Sequence, residues 1–342
     1  FFSDSFPLIS ATSPPCDLRT LKGMLWLPIL LLWAAMPVPL DATWAVPVGC
    51  VPDWDSMTTA MRFPEALPQP DPMFIVLFGA QGMGKGVVLR RWATANLTVN
   101  YCHINVDAIV RALPLYNVSV DELLSDVSPE YPKPAQSDTL YWTTLLSEAA
   151  DKLDSLYYGL RTSIANRLSD LFLNQALLYR YNVAWETTGA SISRTLRQLH
   201  AVQALGYRTW VLYPIASVRT AQQRAVTRFA RTRAGTNIAR IMNVTGAAQR
   251  NIGRLWGTGL VDNLVLVDNT GNDTGLAVVA HLRGAAIAAG LPRSRTTAEG
   301  PAQCSCEALH RVTATLKVDG DGERQEDLLN FMAQACPRCG GS

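Results

Sequence analysis

A glycine-rich stretch that ends in a lysine constrains this chain more than any other segment. It reads Gly79, Ala80, Gln81, Gly82, Met83, Gly84, Lys85, Gly86, and the apolar run 73–78 leads directly into it. Glycines let successive backbone N–H groups curl around an anion, and the lysine adds a positive charge where the next helix begins. The stretch therefore predicts a loop that holds the phosphates of a nucleoside triphosphate, ATP or GTP.

The last position of this loop departs from the usual pattern. Gly86 stands where a Ser or Thr hydroxyl normally ligates Mg²⁺. We still expect Mg²⁺ to accompany the nucleotide, but another oxygen or a water has to replace that hydroxyl, and the sequence assigns no residue as a metal ligand. A glycine-rich hairpin with an exposed lysine is the alternative, which the apolar run before the loop and the helical pattern of 87–95 after it disfavour.

Strand patterns and helical patterns alternate along the chain. Strands are predicted within 73–78, 97–106, 182–185, 209–213 and 263–267, and helices within 87–95, 140–179, 193–205 and 221–233. This alternation is typical of βαβ units with a parallel sheet. We therefore predict a three-layer α/β/α P-loop NTPase or kinase fold with a mainly parallel sheet, whose chemistry gathers at the carboxyl ends of the strands.

Composition divides the 342 residues into four parts. Residues 1–45 predict a signal peptide or membrane anchor, 46–72 a proline-rich linker, 73–290 the P-loop domain, and 291–342 a cysteine-containing tail. A fortuitous apolar extension is the alternative for the uncharged run 23–40, which is the only stretch that predicts membrane contact. The protein is accordingly expected in the cytoplasm or, if 24–45 is a real signal, at a membrane or in the secretory route.

Four of the seven cysteines lie in the tail, as Cys304, Cys306, Cys336 and Cys339. Four thiolates with a C-x-x-C half are able to bind zinc, although C-x-C is an uncommon partner for it. Free thiols in a mobile tail are the preferred interpretation, and a disulfide is the third.

Polar residues that follow the predicted strands supply the candidates for phosphoryl transfer. Asp107 is placed to accept a proton from an acceptor hydroxyl or to help hold magnesium, and its alternative role is to cap the helix that it begins. Glu186 and Thr188 are placed to bind the acceptor or to position a metal-bound water; structural capping by the threonine is the alternative. The histidines His103, His200, His281 and His310 are isolated from one another, and no chemistry is assigned to them.

A run of arginines follows the fourth predicted strand. Arg224, Arg228 and Arg231 share one helix face, and Arg233 lies just beyond. A lid that brings arginines onto the transferring phosphate is the functional interpretation, because a fixed cation there stabilises the spread charge of the transition state. A solvated face and a nucleic-acid surface are the alternatives; without interleaved aromatic residues, no nucleic-acid partner is expected.

The order of these motifs resembles that of the zeta toxins and their eukaryotic relatives, which are P-loop kinases. The resemblance covers about 74–268 and includes the phosphate loop, Asp107 with Arg111, the segment from Glu186 to Thr188, and the arginine-bearing lid. It implies phosphorylation of a hydroxyl, in the bacterial members that of a UDP-linked amino sugar. It also implies residue roles, which are Asp107 as base, Lys85 on the phosphates, Arg224, Arg228 and Arg233 as charge clamps, and Arg111, Glu186 and Thr188 as substrate-binding residues.

Two rival functions stay open beside this one. A nucleoside-monophosphate kinase also carries a Gly-Lys-Gly loop, but Val87 stands where those enzymes place Thr. A catalytically inactive nucleotide-binding module would explain why Gly86 lacks the hydroxyl that holds the metal. The sequence leaves the acceptor and the oligomeric state open.

Overall fold

The computed structural model of the chain describes residues 54–97, 100–128, 131, 138–233, 237–271, 277–284, 302–318 and 322–339. The strands are β1 Met73–Phe78, β2 Cys102–Ile104, β3 Val183–Thr187, β4 Arg208–Ile215, β5 Asn263–Asp268, β6 Ala277–Arg283 and β7 Gln303–Cys304. The proposed signal or anchor in residues 1–45 lies outside the described residues. Within the described ranges, no helix has both the length and the apolar character needed to cross a membrane.

The helices of the described ranges follow the predicted alternation with the strands. They are α1 Trp54–Ala60, α2 Lys85–Asn96, α3 Val106–Ala112, α4 Pro114–Val127, α5 Thr139–Glu148, α6 Ala150–Leu160, α7 Asn166–Leu178, α8 Ile192–Ala204, α9 Val218–Thr232, α10 Ile238–Gly257, α11 Cys306–Val318 and α12 Gly322–Ala335. A π-helical turn, Arg161–Ala165, joins α6 to α7. Where one or two long helices were predicted over 140–179, the chain therefore forms three helices with a π turn between the last two.

The strands form one sheet in the order β2-β3-β1-β4-β5-β6-β7. Strands β1 to β5 are parallel, whereas β6 and β7 add to the β5 edge in antiparallel fashion. The chain moves from β1 to the β2 side of the sheet and later crosses to the β4 side, so the order reverses beside β1. In open α/β sheets, ligands bind outside the carboxyl ends of the strands at such a switch point. The predicted α/β fold class is confirmed, and the sheet places the loop after β1 at its ligand-binding edge.

Strand β1 is buried on both faces, as expected for a central parallel strand. Ile75 and Leu77 pack against Val88 and Leu89 of α2 on one face of the sheet. Phe74, Val76 and Phe78 lie in the larger core on the other face, together with residues of α7, α8 and α10. The uninterrupted apolar run before the loop thus anchors the loop between two packed layers.

The segments on either side of the predicted P-loop domain are also packed against it. In the proposed linker, Met57 and Met61 are fully buried, and the Met61 carbonyl accepts a 2.7 Å hydrogen bond from the His103 backbone N–H. In the tail, β7 pairs with β6, and α12 packs on α10, where Phe331 contacts Gly253. Periodicity gave no indication of β6, β7, α11 or α12.

The preferred interpretation of the tail cysteines is wrong. Cys304 is bonded to Cys336 and Cys306 to Cys339, so these cysteines are neither free thiols nor zinc ligands. Among the described residues, no group of His, Cys, Asp and Glu side chains is arranged to hold a metal ion. The C-x-C and C-x-x-C pairs face each other because β7 and the end of α12 come together at the sheet edge, a long-range contact that spacing does not reveal.

Reduction of the two disulfides should destabilise the tail. Their cysteines are 32 and 33 residues apart, and closing a loop of that length stabilises a fold by about 3–4 kcal/mol in the chain-entropy model. Urea unfolding with and without reductant measures this difference. Peptide mapping after alkylation of the unreduced native protein is the direct check, and modification of the four tail cysteines would contradict the pairing.

Candidate phosphate-binding site

The loop between β1 and α2 depends on glycines at two positions of close approach. Gly82 and Gly84 have positive φ angles of 78° and 86°. A Cβ atom at Gly82 would lie 2.0 Å from the Ala221 carbonyl oxygen, and one at Gly84 would lie 2.1 Å from Asn269 Nδ2. Other residues are therefore excluded by both backbone conformation and space. The loop is held in one curled conformation by α9 on one side and by the turn after β5 on the other.

Lys85 begins α2 and lies inside this curl. Its side-chain ammonium donates hydrogen bonds of 2.9 and 3.0 Å to the carbonyl oxygens of Gly79 and Ala80, and the residue is only 9% exposed. Burial lowers the pKa of Lys85 from its usual value, while the negative charges of Glu186 and Asp107 oppose this shift. The first turn of α2 contains no acidic residue. The positive end of this helix therefore meets no carboxylate from its own first turn.

Glu186 is the last but one residue of β3 and lies beside the lysine. Its Oε1 accepts hydrogen bonds from Asn105 Nδ2 at 3.0 Å and contacts His103 Nε2 at 2.8 Å, while its Oε2 is 3.9 Å from Lys85 Nζ. Burial alone would raise the pKa of Glu186, but the His103 hydrogen bond and the positive charges of Lys85 and Arg228 lower it to about 2. The carboxylate therefore remains charged and balances the buried ammonium.

Asp107 also contacts the loop, and it is not the cap of α3. Asn105 caps this helix, because its side-chain oxygen accepts the backbone N–H groups of Asp107 and Ala108 at 2.9 and 3.3 Å. The Asp107 carboxylate instead accepts hydrogen bonds from Gln81 Nε2 at 3.3 Å and from the Tyr157 hydroxyl. The predicted base is thus in contact with the phosphate loop.

The predicted lid arginines do not share one position. Arg228 Nη2 lies 3.9 Å from Asp107 Oδ2, whereas Arg224 donates to the carbonyl oxygens of Asn269 and Gly271 at 3.0 and 2.6 Å. Arg233 ends α9 with a positive φ of 54°, and its guanidinium stacks 4.7 Å from the Trp142 ring centroid. Of the three arginines predicted as clamps, Arg228 is therefore the one that the described contacts bring to Asp107.

The predicted substrate-binding residues lie around the same edge. Arg111 Nε donates to the Asp107 carbonyl oxygen at 3.1 Å, one helical turn away on α3. Thr188 follows β3 and lines a small void of about 30 Å³ together with Gln81 and Tyr157. Their roles toward a substrate stay predictions, but both residues lie next to Asp107 or to the loop.

Sequence reasoning missed two side chains of this site. His103 was assigned no chemistry, yet it contacts Glu186, which lies on the neighbouring strand. Tyr157 lies on α6, where it fits an apolar helical pattern, and its hydroxyl donates to Asp107. Burial, and then the Asp107 charge, raise the pKa of Tyr157 well above its usual value, so the hydroxyl keeps its proton. The strand position of His103 was a usable signal, whereas Tyr157 carried none.

Together, the glycine loop after β1, the buried Lys85 and the doubly wound sheet define a protein with the fold of P-loop NTPases and kinases. No protein-family model matches the chain, and no curated protein matches it. A solved structure from the PezAT chromosomal toxin-antitoxin system of Streptococcus pneumoniae matches with a TM-score of 0.46 and 14% identity, over 80% of this chain and 95% of that chain.

Two further matching structures contain AvrRxo1-ORF1 with AvrRxo1-ORF2. The structure with sulphate ions has a TM-score of 0.39 and 11% identity, over 82% of this chain and 80% of that chain. The structure with ATP has a TM-score of 0.37 and 12% identity, over the same shares of 82% and 80%. The chain resembles the zeta toxins in the order of its motifs. At these identities the likeness to the solved structures concerns the fold alone, and no residue role is transferred to this chain.

The charged form of Glu186 should make the free energy of unfolding depend on pH in the acid range. Its pKa is about 2 in the folded protein against an ordinary 4.5, so its stabilising contribution is complete above pH 4.5 and is lost as the pH falls toward 2. Urea unfolding across this range should show a shallower pH dependence for Glu186→Gln than for the unmodified protein. The exposed Glu148→Gln is the matched control. Equal slopes for all three proteins would contradict the assigned pKa shift.

Proposed function

We propose that this chain is a phosphotransferase that moves the γ-phosphoryl group of ATP or GTP to a hydroxyl of a small molecule. One observation carries the proposal: the carboxylate of Asp107 lies against Gln81 of the phosphate loop and 3.9 Å from Arg228. A general base, a phosphate-binding loop and a cation therefore meet at the carboxyl edge of the sheet. Phosphoryl transfer needs these groups because its catalysis is mostly positioning and charge stabilisation.

Lys85 and the N-terminus of α2 would bind the phosphates of the nucleotide. An ammonium group has three donors, and two of them bind the Gly79 and Ala80 carbonyl oxygens. Glu186 Oε2, at 3.9 Å, is beyond hydrogen-bond distance. The third donor is therefore left for an outer phosphate oxygen, next to the N-terminus of α2. Because burial removes competing water, the attraction between Lys85 and a phosphate is stronger than at an exposed surface.

Asp107 would bind the acceptor hydroxyl and take its proton. In the structure, the Tyr157 hydroxyl donates to Asp107 Oδ1, which is the contact that an acceptor hydroxyl would make with a general base. A hydroxyl held there would be oriented toward the γ-phosphate and would give up its proton to the carboxylate late in the transfer. Arg228 lies beside the same carboxylate, where its charge would stabilise the equatorial oxygens of the transferring group.

Mg²⁺ fits this site through carboxylates rather than through a hydroxyl. Gly86 has none, but Glu186 lies 3.9 Å from Lys85 and Asp107 accepts a hydrogen bond from Gln81. Mg²⁺ is commonly bound by one or two carboxylates together with substrate phosphates. When bound, Mg²⁺ would neutralise charge on the β- and γ-phosphate oxygens. Glu186 is held for this role by His103 and Asn105, which occupy one of its oxygens and leave the other facing Lys85.

The acceptor would enter beside α6. The void of about 30 Å³ next to Gln81 is lined by Tyr157, Tyr158, Arg161 and Arg240, and a space of this size holds about one water molecule. Because the Tyr157 hydroxyl occupies Asp107 Oδ1, an acceptor hydroxyl would have to displace it. Aromatic rings and arginines suit an acceptor with ring surface and negative charge. A nucleotide-linked sugar, which the zeta-toxin resemblance implies, has both.

Replacing Asp107 with Asn should separate transfer from nucleotide binding. We expect ATP affinity within a few-fold of the unmodified protein and phosphoryl transfer slower by about 10²–10⁴-fold, the usual contribution of a general base. Transfer is measured by mass spectrometry of a metabolite extract incubated with ATP and the protein. The control is Asp151→Asn, an exposed aspartate in the first turn of α6.

Two outcomes of this experiment would contradict the proposal in different ways. Transfer by Asp107→Asn at the control's rate would remove Asp107 from the chemistry. ATP binding without transfer to any metabolite by the unmodified protein would favour the inactive nucleotide-binding module.

Gly86→Ser tests the metal. A Cβ at this position meets only Arg90 Nη1 within 4 Å, at 3.8 Å, and φ is not positive, so the serine fits. Because its hydroxyl adds a Mg²⁺ ligand, we expect affinity for ATP to rise roughly 10-fold, or about 1.4 kcal/mol, with Mg²⁺ present and to stay unchanged without it. Calorimetric titration measures both.

The control is Gly257→Ser, because Gly257 is also helical and has nothing within 4 Å of a Cβ. An equal gain in the presence and absence of Mg²⁺ would mean that the serine acts through the helix alone. Loss of ATP binding in Gly86→Ser would show that the phosphates need the space at position 86.

A further inference from the structure

Two disulfides join the beginning and the end of the C-terminal tail. Cys304 and Cys306 at its start are bonded to Cys336 and Cys339 at its end. The His310 side chain lies 3.1 Å from the Cys339 carbonyl oxygen, which ties the first turns of α11 to the same point. The position of α11 on the sheet thus depends on the disulfides as well as on its packing against β6.

One side chain of α11 reaches the carboxyl edge of the sheet. Arg311 Nε lies 2.6 Å from Oδ2 of Asp268, the last residue of β5, which is 4% exposed. The other oxygen of Asp268 accepts the backbone N–H and the hydroxyl of Thr270 at 3.0 and 2.7 Å. Arg311 therefore compensates a buried carboxylate that fixes the turn after β5, and its removal would leave that charge without its ion-pair partner.

The turn after β5 also supports the phosphate loop. Asn269, the residue after Asp268, donates from Nδ2 to the Met83 carbonyl oxygen at 2.6 Å. The same amide lies where a Cβ of Gly84 would be, so it packs directly on the loop. A continuous series of contacts therefore runs from Arg311 through Asp268 and Asn269 to Met83.

We propose that Arg311 is a positioning residue for nucleotide binding, supplied by the tail, and that the tail disulfides keep it in place. The inference rests on the proposed function, because it assigns the loop a nucleotide. A phosphate cradle must hold its N–H groups within a fraction of an ångström of the productive geometry, and supporting contacts provide this. Breaking the disulfides loosens α11, frees the turn after β5 and weakens nucleotide affinity. Nucleotide affinity is therefore coupled to an oxidising environment, where such bonds persist.

The experiment is calorimetric titration of ATP with the intact chain, together with its melting temperature. We expect Arg311→Met to weaken ATP affinity roughly 10-fold at a temperature well below melting, and to raise the KM for ATP more than it lowers kcat. Lys317→Met, at an exposed position of the same helix, should bind ATP like the unmodified protein. Arg311→Lys keeps the charge but loses the Nε contact, so it should fall between the two.

The disulfides are tested on the same titration. The double variant Cys306→Ser, Cys339→Ser should bind ATP more weakly than the unmodified protein, with an affinity closer to that of Arg311→Met. Reductant added to the unmodified protein should have the same effect. Reductant should add little to Arg311→Met itself, because both act through the same contact. If Arg311→Met does not fold, ATP titration of Arg311→Lys and of the reduced unmodified protein tests the inference instead.

The outcomes that overturn the inference are distinct from those that overturn the proposed function. A lower melting temperature with unchanged ATP affinity in Arg311→Met would make the ion pair a structural contact only. Unchanged affinity after reduction would remove the disulfides from the account. Absence of ATP binding by the oxidised, unmodified protein would overturn the proposed function and this inference together.

Discussion

The ammonium group of Lys85 is buried within a loop whose glycines have positive φ angles, and the neighbouring side chains are arranged around it. Lys85 donates to the carbonyl oxygens of the residues that begin the loop, and the loop curls around it. Burying a charge is costly unless it is paired and hydrogen-bonded. The neighbouring elements supply that compensation. Glu186 lies near the end of β3, His103 of β2 contacts it, and Asn105, the N-cap of α3, binds the same carboxylate.

The same loop is braced from three directions by parts of the chain that are distant in sequence. The Ala221 carbonyl of α9 lies against Gly82, Asn269 lies against Gly84, and Gln81 donates to Asp107. The loop position is therefore linked to α9, to the turn after β5 and to the proposed base. Such bracing is what a phosphate site needs, because displacement of a catalytic group by about 1 Å is enough to slow a reaction strongly. It also explains how a tail outside the predicted domain bears on the site.

The sequence predicted the parts of this structure that local pattern controls. Phe74 to Phe78 read as a buried strand, and the glycine spacing predicted the loop, because both signals lie within a few residues. Contacts between distant segments were not predictable. Asp107 was weighed as a helix cap, but Asn105, two residues earlier, has that role. Tyr157 reaches Asp107 only because α6 packs on α4, which contacts α3. The tail cysteines pair only because the sheet gains β6 and β7.

Calorimetric titration of ATP into the intact chain and into Lys85→Ala measures whether the buried ammonium holds the nucleotide. The exposed Lys152→Ala, on α6, is the control for loss of one positive charge. We predict saturable 1:1 binding by the unmodified protein and by the control, and no measurable binding by Lys85→Ala while its far-UV circular dichroism stays unchanged. ATP binding of equal affinity in Lys85→Ala would contradict the account, because the loop would then hold its phosphates without the charge around which it is folded.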